Sequence, residues 1–321
     1  MSVSETLSAS GAVFPAWDAN HSKVWGAAPL RIAHSLHRNE LFSDAALARL
    51  LETYPREHYS VVQWGSLSEK EAFREGELNG LDGISVLQAV AKARVWINLR
   101  NVAKVDARYA ALLAAIAAET KRNVPGLQAR GWTMGILISS PGSRTIYHAD
   151  LPGQALLQVR GEKTLVVYPR AEPFICSEHL ERIALSGVEA SLPYQAWYDD
   201  YAQQYPMRPG DMMHWPLNAP HRVDNGDSVN ISVTVEYTTP EIRRKHMVNL
   251  ANAILRSKLG VTPGSNATSG FAFWSKRLLQ RALRNTSWVK REDRSRRAPQ
   301  FRLDPARADG IAEINPAGSA A

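Results

Sequence analysis

The chain has 321 residues, with 38 Lys and Arg against 31 Asp and Glu for a formal charge of +7, and 45% of its residues are hydrophobic while 21% are charged. That balance excludes a disordered chain, and no window approaches the ~18 uncharged apolar residues of a membrane helix. Cys176 is the only cysteine, which excludes an intrachain disulfide and a cysteine-built metal cage and fits a reducing cytoplasm. The opening stretch MSVSETLSASGAVFPAWDAN has no basic region followed by an apolar run, which predicts a soluble, unexported protein without membrane insertion.

Residues 1–125 read as a mainly helical region with at least one strand that joins a β-rich core. SDAALARLLETYP offers Ser43 as N-cap ahead of Leu47, Leu50 and Leu51, and DARYAALLAAIAAETKR starts an alanine-rich helix near Asp106. Between them ARVWINLRNV predicts a strand with Trp96, Asn98 and Arg100 on one face; Asn98 and Trp96 are candidates to line a pocket, with core packing the readier reading for Trp96. Over residues 126–239 the texture is β-rich: GWTMGILISS, QALLQVRGEKTLVVYP, YPMRPGDMMHWP and DSVNISVTVEYT are bounded by Gly, Pro and Asn. Residues 240–285 return to helix. Thr239 is the N-cap, Pro240 the first helical residue and Gly260 the terminator of one segment, and FAFWSKRLLQRALR forms a second amphipathic one. Residues 286–321 read as a basic, flexible tail; ten Lys or Arg lie between Lys276 and Arg302. Such a tail is able to contact nucleic acid, an acidic protein or a membrane surface, but it lacks apolar periodicity and reads first as solvated.

The chemistry concentrates in RTIYHADLPG. Alternation puts His148 and Asp150 on one face, either as an exposed polar strand end or as two members of a metal site. In MRPGDMMHWPLNAPHRVDN, His221 begins a strand after the turn at Pro209-Gly210-Asp211 and the loop LNAP, 73 positions after His148, a distance suited to running around part of a small barrel and returning beside it. Two imidazoles and one carboxylate, with open positions left on the metal, suit Fe(II) and dioxygen chemistry, whereas nothing fixes a closed tetrahedral zinc site. His214, only seven positions before His221, belongs to the preceding strand and reads as structural; His34 and His37 have no third ligand nearby.

The order YHAD, VRGEKTLVVYP, RPGDMMHWPLNAPHRV resembles the JmjC-type, cupin-like Fe(II) and 2-oxoglutarate dioxygenases, in the branch that includes an asparaginyl hydroxylase. The resemblance covers roughly residues 130–238 and reaches the flanks only in general architecture. It implies a mainly β fold with flanking helices, a double-stranded β-helix or jelly-roll barrel between N- and C-terminal helical segments. It further implies that His148, Asp150 and His221 bind iron and that Lys163 pairs with the distal carboxylate of 2-oxoglutarate; otherwise Lys163 is a surface lysine beside Glu162. Other branches carry a basic residue about ten positions after the distal histidine, where this chain has Ile231, so Lys163 is the better anchor. Thr145 sits where the family has a hydroxyl partner for the same carboxylate, or is simply a β-former. Gln154 stands where some relatives donate an amide to 2-oxoglutarate or substrate.

The implied function is a 2-oxoglutarate-dependent hydroxylase of a protein, peptide or small amino-acid-like substrate. Asp150 argues against halogenation, for which relatives replace the acid with a small residue. Rival readings are a cupin-like binding protein without turnover and a metal cupin enzyme independent of 2-oxoglutarate. Residues 171–205, rich in aromatic and acidic side chains, are either a recognition insertion at the barrel mouth or a packing loop. Apolar stripes on the C-terminal helices predict a homodimer through them.

Overall fold

The computed structural model describes residues 11–64, 73–78, 80–187, 192–286, 288–289 and 298–314. Its helices are α1 (Ala19–Val24), α2 (Asp44–Glu52), α3 (Gly83–Lys92), α4 (Val102–Val105), α5 (Ala107–Asn123), α6 (Ser177–Ser186), α7 (Pro240–Leu259) and α8 (Gly270–Leu283). Its strands are β1 (Leu30–Ala33), β2 (Tyr59–Trp64), β3 (Phe73–Glu77), β4 (Val95–Leu99), β5 (Arg130–Ser139), β6 (Gly153–Arg160), β7 (Lys163–Val167), β8 (Gln203–Met207), β9 (Asp211–His214), β10 (His221–Asn225), β11 (Asn230–Thr238), β12 (Phe301–Leu303) and β13 (Ile311–Glu313). Helix ends obey their capping residues. Ser43 accepts from Ala46 N at 3.3 Å to start α2, Asp106 accepts from Arg108 N at 2.8 Å to start α5, and Thr239 accepts from Ile242 N at 3.2 Å to start α7, which Gly260 closes at φ 66°.

Ten strands form one sheet in the order β1-β9-β6-β11-β5-β4-β2-β3-β12-β13, and β10-β7-β8 form a second. The chain passes from the first sheet to the second at Gly161, φ 73°, where a Cβ would lie 2.6 Å from the Val229 carbonyl oxygen. Alternation then divides each strand between two cores. Val61, Ile97, Ile136, Ile138, Leu157 and Val233 pack with Leu47, Leu50, Val86, Val90, Tyr109 and Ile116 of α2, α3 and α5. The next residue along, Leu156 or Met213, instead faces Leu165, Val167, Met207 and Val223 of the small sheet. At about 1.5–3 kcal/mol per fully buried aliphatic side chain, both cores favour one register, because a one-residue slip would exchange them.

The first 125 residues give four strands as well as helices, and all four, with β4 at the expected strand ARVWINLRNV, join the large sheet. One region differs from the sequence reading. Residues 301–303 and 311–313, assigned by sequence to the tail, are strands: β12 runs parallel to β3, with Phe301 and Leu303 fully buried. The Phe301 ring occupies the space over Gly76, where a Cβ would sit 2.4 Å from it. The most basic part of the expected tail, 290–297, lies outside the described residues. Among the described residues no helix is long and apolar enough to cross a membrane.

Candidate metal centre

After β5 the chain turns at Gly142 and runs antiparallel to β10 through isolated bridges rather than a continuous strand. His148 and His221 exchange both backbone hydrogen bonds, at 3.0 and 2.8 Å, so the two imidazoles stand opposite each other with ring centroids 4.2 Å apart. Each ring is fixed by its own chain. His148 Nδ1 lies 2.8 Å from the Ile146 carbonyl and His221 Nδ1 3.0 Å from the Ala219 carbonyl. A carbonyl only accepts, so each Nδ1 carries the proton and each Nε2 keeps its lone pair.

Both Nε2 atoms face Asp150, His148 at 3.9 Å from Oδ1 and His221 at 3.3 Å from Oδ2. The three ligand atoms lie within 4.8 Å of one another. Asp150 is buried and its Oδ2 has no hydrogen-bond partner among the described residues. Burial pushes its carboxyl well above the usual range, and the neighbouring Glu236 adds to the shift; burial pushes His221 well below its usual value, with His148 adding to it. A buried carboxylate facing two neutral imidazoles is costly in an apolar interior, and a divalent cation removes that cost by favouring the ionised acid and unprotonated rings together. The donor set fits such an ion.

The triad lines a cavity of about 120 Å³ between the two sheets, together with Lys163, Thr145, Gln154, Asn98 and Trp96. Lys163 opens β7 opposite Asn225 and Met207; it is buried, and among the described residues no acidic group pairs with it. Burial lowers its ammonium to about 7. Thr145 Oγ1 accepts from Val223 N at 2.7 Å, which leaves the hydroxyl proton free to be donated. Trp96 and Asn98 share the half-buried face of β4, while Val95, Ile97 and Leu99 enter the core, so Trp96 lines the cavity instead of packing away from it. Trp96, Asn98, Thr234 and Glu236 also line an adjoining cleft of 460 Å³ that includes Glu57, Ser60 and Arg100.

The other histidines lie elsewhere. His214 stacks on Trp25 at 3.8 Å between centroids, and His34 packs against His37 at 6.0 Å. The 171–205 segment contributes α6 and an aromatic cluster in which Tyr198 and Phe174 are buried, with Trp197 and Tyr201 exposed. Asp199 is a structural acid: it accepts from Tyr168 Oη at 2.6 Å and Arg222 Nη1 at 2.9 Å, tying the segment to β10 beside His221. Of this segment only Gly187, among the described residues, lines the adjoining cleft, and none lines the cavity itself.

Two residues escape the sequence reading. Glu236 lines the cavity and, with Thr234, forms the polar alternate face of NISVTVEYT, a signal visible as polar residues at period two within a β-branched run. Asn218, in the left-handed region at φ 62°, donates to the Asp150 carbonyl at 2.6 Å and so couples the loop before His221 to the segment carrying the acid.

Sheets, cavity and triad together define a β-sandwich protein with a two-histidine, one-carboxylate site able to hold a metal ion. No family model matches the chain, and no curated protein does. Solved structures of YcfD from Escherichia coli are similar to it. One aligns at 17% identity over 82% of this chain and 66% of its own, with a TM-score of 0.45. Another, described as a ribosomal oxygenase in complex with cobalt and 2-oxoglutarate, aligns at 15% identity over 87% and 71%, with a TM-score of 0.43. A third, in complex with cobalt and succinic acid, gives 15%, 86%, 70% and 0.41 in the same order. Likeness at these scores carries no argument about residues or activity, and the functional reading rests on the geometry of the triad and its cavity.

Proposed function

We propose that this chain is an Fe(II)- and 2-oxoglutarate-dependent oxygenase, a hydroxylase of a protein, peptide or small amino-acid-like substrate, built on a double-stranded β-helix. The observation that carries the reading is the convergence of His148, Asp150 and His221 within 4.8 Å on the wall of a cavity that also holds Lys163, a buried cation with no acidic partner among the described residues. With only three protein donors, the site would leave room on a bound iron for a keto acid and dioxygen. When bound, iron with 2-oxoglutarate and dioxygen supplies the oxidation: the keto acid loses CO2 and becomes succinate, and one oxygen atom enters a substrate C–H bond.

The chain supplies position and dryness. His148, Asp150 and His221 would hold the iron. Lys163 meets the distal carboxylate of 2-oxoglutarate, and Thr145, already an acceptor for Val223 N–H, donates its hydroxyl proton to the same group. Gln154 lines the cavity within reach of ligand or substrate. Substrate enters from the cleft whose walls Trp96, Asn98, Thr234 and Glu236 share with the cavity. Exposed Phe271 and Leu278 on α8 support a homodimer through the C-terminal helices, acting in a reducing cytoplasm. Truncation after Gly260 would also remove β12 from the sheet, so the dimer is tested by light scattering of the full chain and its Phe271→Asp/Leu278→Asp variant.

Anaerobic titration with Fe(II) and then 2-oxoglutarate tests the function. A weak visible charge-transfer band, with succinate release on admission of oxygen, is the expected outcome. Iron binding without either signal rejects the oxygenase and leaves a binding protein or a cofactor-independent metal enzyme.

A further inference from the structure

A second cleft, of 670 Å³, opens where the start of α7, the start of α8 and the outer end of β5 meet, and none of the metal-centre residues lines it. Arg130, Arg243, Arg244 and Arg277 line it, and no acidic residue does. All four arginines are exposed, and among the described residues none is in an ion pair. The acid on the first turn of α7, Glu241, is held by Lys245 at 2.8 Å.

The lining is therefore uniformly basic. Aligned peptide dipoles leave a helix N-terminus partly positive, which favours anions there and disfavours cations. Arg243 and Arg244 nevertheless sit within the first turns of α7. Across the cleft Ser269 is the N-cap of α8 and its side chain makes no cap hydrogen bond, so among the described residues no side chain accepts from the first N–H groups of that helix. Four guanidinium groups and the start of α8 thus border one concavity, a setting that favours an anion. The guanidinium fork suits phosphate, which it meets with two parallel hydrogen bonds, and the cleft falls in the ~300–1,000 Å³ range of small-ligand sites.

The wall also offers a platform for a ring. Trp274 is 55% exposed on the cleft, and the Arg277 guanidinium lies 4.8 Å from its ring centroid. Cations beside an exposed indole are the combination that holds a phosphate and a stacked base at once. We propose that this cleft binds a nucleotide unit, its phosphate among the four arginines and its base on Trp274, either free or as part of a single strand.

The test uses the full chain and fluorescence anisotropy of a labelled single-stranded oligouridylate about a dozen nucleotides long, a length within reach of one such groove. Arg243→Gln/Arg277→Gln and Trp274→Ala are surface changes, and circular dichroism with a thermal midpoint verifies that each variant is folded. Saturable binding is expected. The double arginine variant should bind at least about tenfold more weakly and lose about 0.7–1 per arginine from the slope of log affinity against log salt. Trp274→Ala should weaken binding by about fivefold or more with the slope unchanged. Displacement of the strand by AMP identifies a free-nucleotide site, and strand binding that AMP does not displace identifies a strand site; both sustain the proposal. Absence of binding at low salt overturns it. So does binding that all three substitutions leave unchanged, which would assign the contact to the basic residues between 281 and 302 instead.

Discussion

His221 and His214 lie seven positions apart, on consecutive strands that belong to different sheets, and share nearly every local property. Both are almost fully buried, both have Nδ1 on a backbone carbonyl, and both are held neutral by burial, His214 at about 4. They differ in what the far nitrogen meets. His221 Nε2 faces Asp150 at 3.3 Å across a cavity, whereas His214 Nε2 has no hydrogen-bond partner among the described residues and its ring is stacked on Trp25. Burial and a fixed tautomer therefore do not bring a ring into a shared donor site. Convergence with a second donor and an acid does, and the fold supplies it by pairing β10 directly with the HxD segment while β9 lies between β1 and β6.

The sharpest way to break this comparison is substitution on both sides of it. His148→Ala, Asp150→Ala and His221→Ala should each weaken Fe(II) binding by more than the roughly 10–100-fold seen when an outer-shell partner is lost. His214→Ala should leave metal affinity unchanged and cost roughly 2–4 kcal/mol of stability, as a large core ring replaced by a cavity does. Metal content by mass spectrometry and denaturant unfolding decide it; iron that survives loss of His221 but leaves with His214 would invert the assignment.

Next in size is Lys163→Met, which keeps the stem and removes the charge. A charge-assisted contact contributes about 1.5–3 kcal/mol, so 2-oxoglutarate affinity should fall by roughly 10–150-fold with iron binding intact. Calorimetric titration of the Fe(II)-loaded proteins reads this directly, and equal affinities would remove Lys163 from the site.

How far these residues are legible in sequence depends on where each role originates. His148 and Asp150 declare themselves through their spacing of two, His221 through the turn and loop before it, and Lys163 only through the resemblance to a known family. Asn218 and Glu236 do not, because their roles arise only when β10 and β11 close around the cavity; the sequence marks Glu236 as polar at period two but not which face is inward. The same holds for the fold. FREGE and FRL lack alternation or length, and they become β3 and β12 through pairing with β2 and β13 and through the fit of Phe301 over Gly76. Size alone favours the core for Trp96, whereas the register with Ser139 turns it to the cavity.

The buried ammonium supplies a pH prediction. The folded Lys163 sits at about 7 against an ordinary 10.5, so between those values the unfolded chain binds the extra proton, and stability rises with pH across the window until it levels off near 10.5. For the ligand the sign is opposite. 2-Oxoglutarate needs the cation, so its dissociation constant should rise by about tenfold per unit as pH moves upward from 7 toward about 9, while Lys163→Met should be flat. A wild-type profile as flat as the variant's would show that the dicarboxylate is held by other groups.

The smallest effect belongs to Thr145, where the comparison of the two histidines can be drawn most finely, since Thr145 lies on the same segment as His148 but three residues before its backbone exchange with His221. Its Oγ1 accepts from Val223 N–H at 2.7 Å, so the hydroxyl has a structural duty whether or not a ligand is present. Thr145→Val preserves shape and β-propensity but leaves that N–H without its acceptor, at a cost of about 1–3 kcal/mol of stability, while the lost donor to 2-oxoglutarate should weaken its binding only about 2- to 12-fold. Thr145→Ser restores both hydrogen bonds and should recover both quantities. If Val lowers stability while 2-oxoglutarate affinity stays at the wild-type value, Thr145 is a backbone brace for β10 alone, and Lys163 holds the distal carboxylate without it.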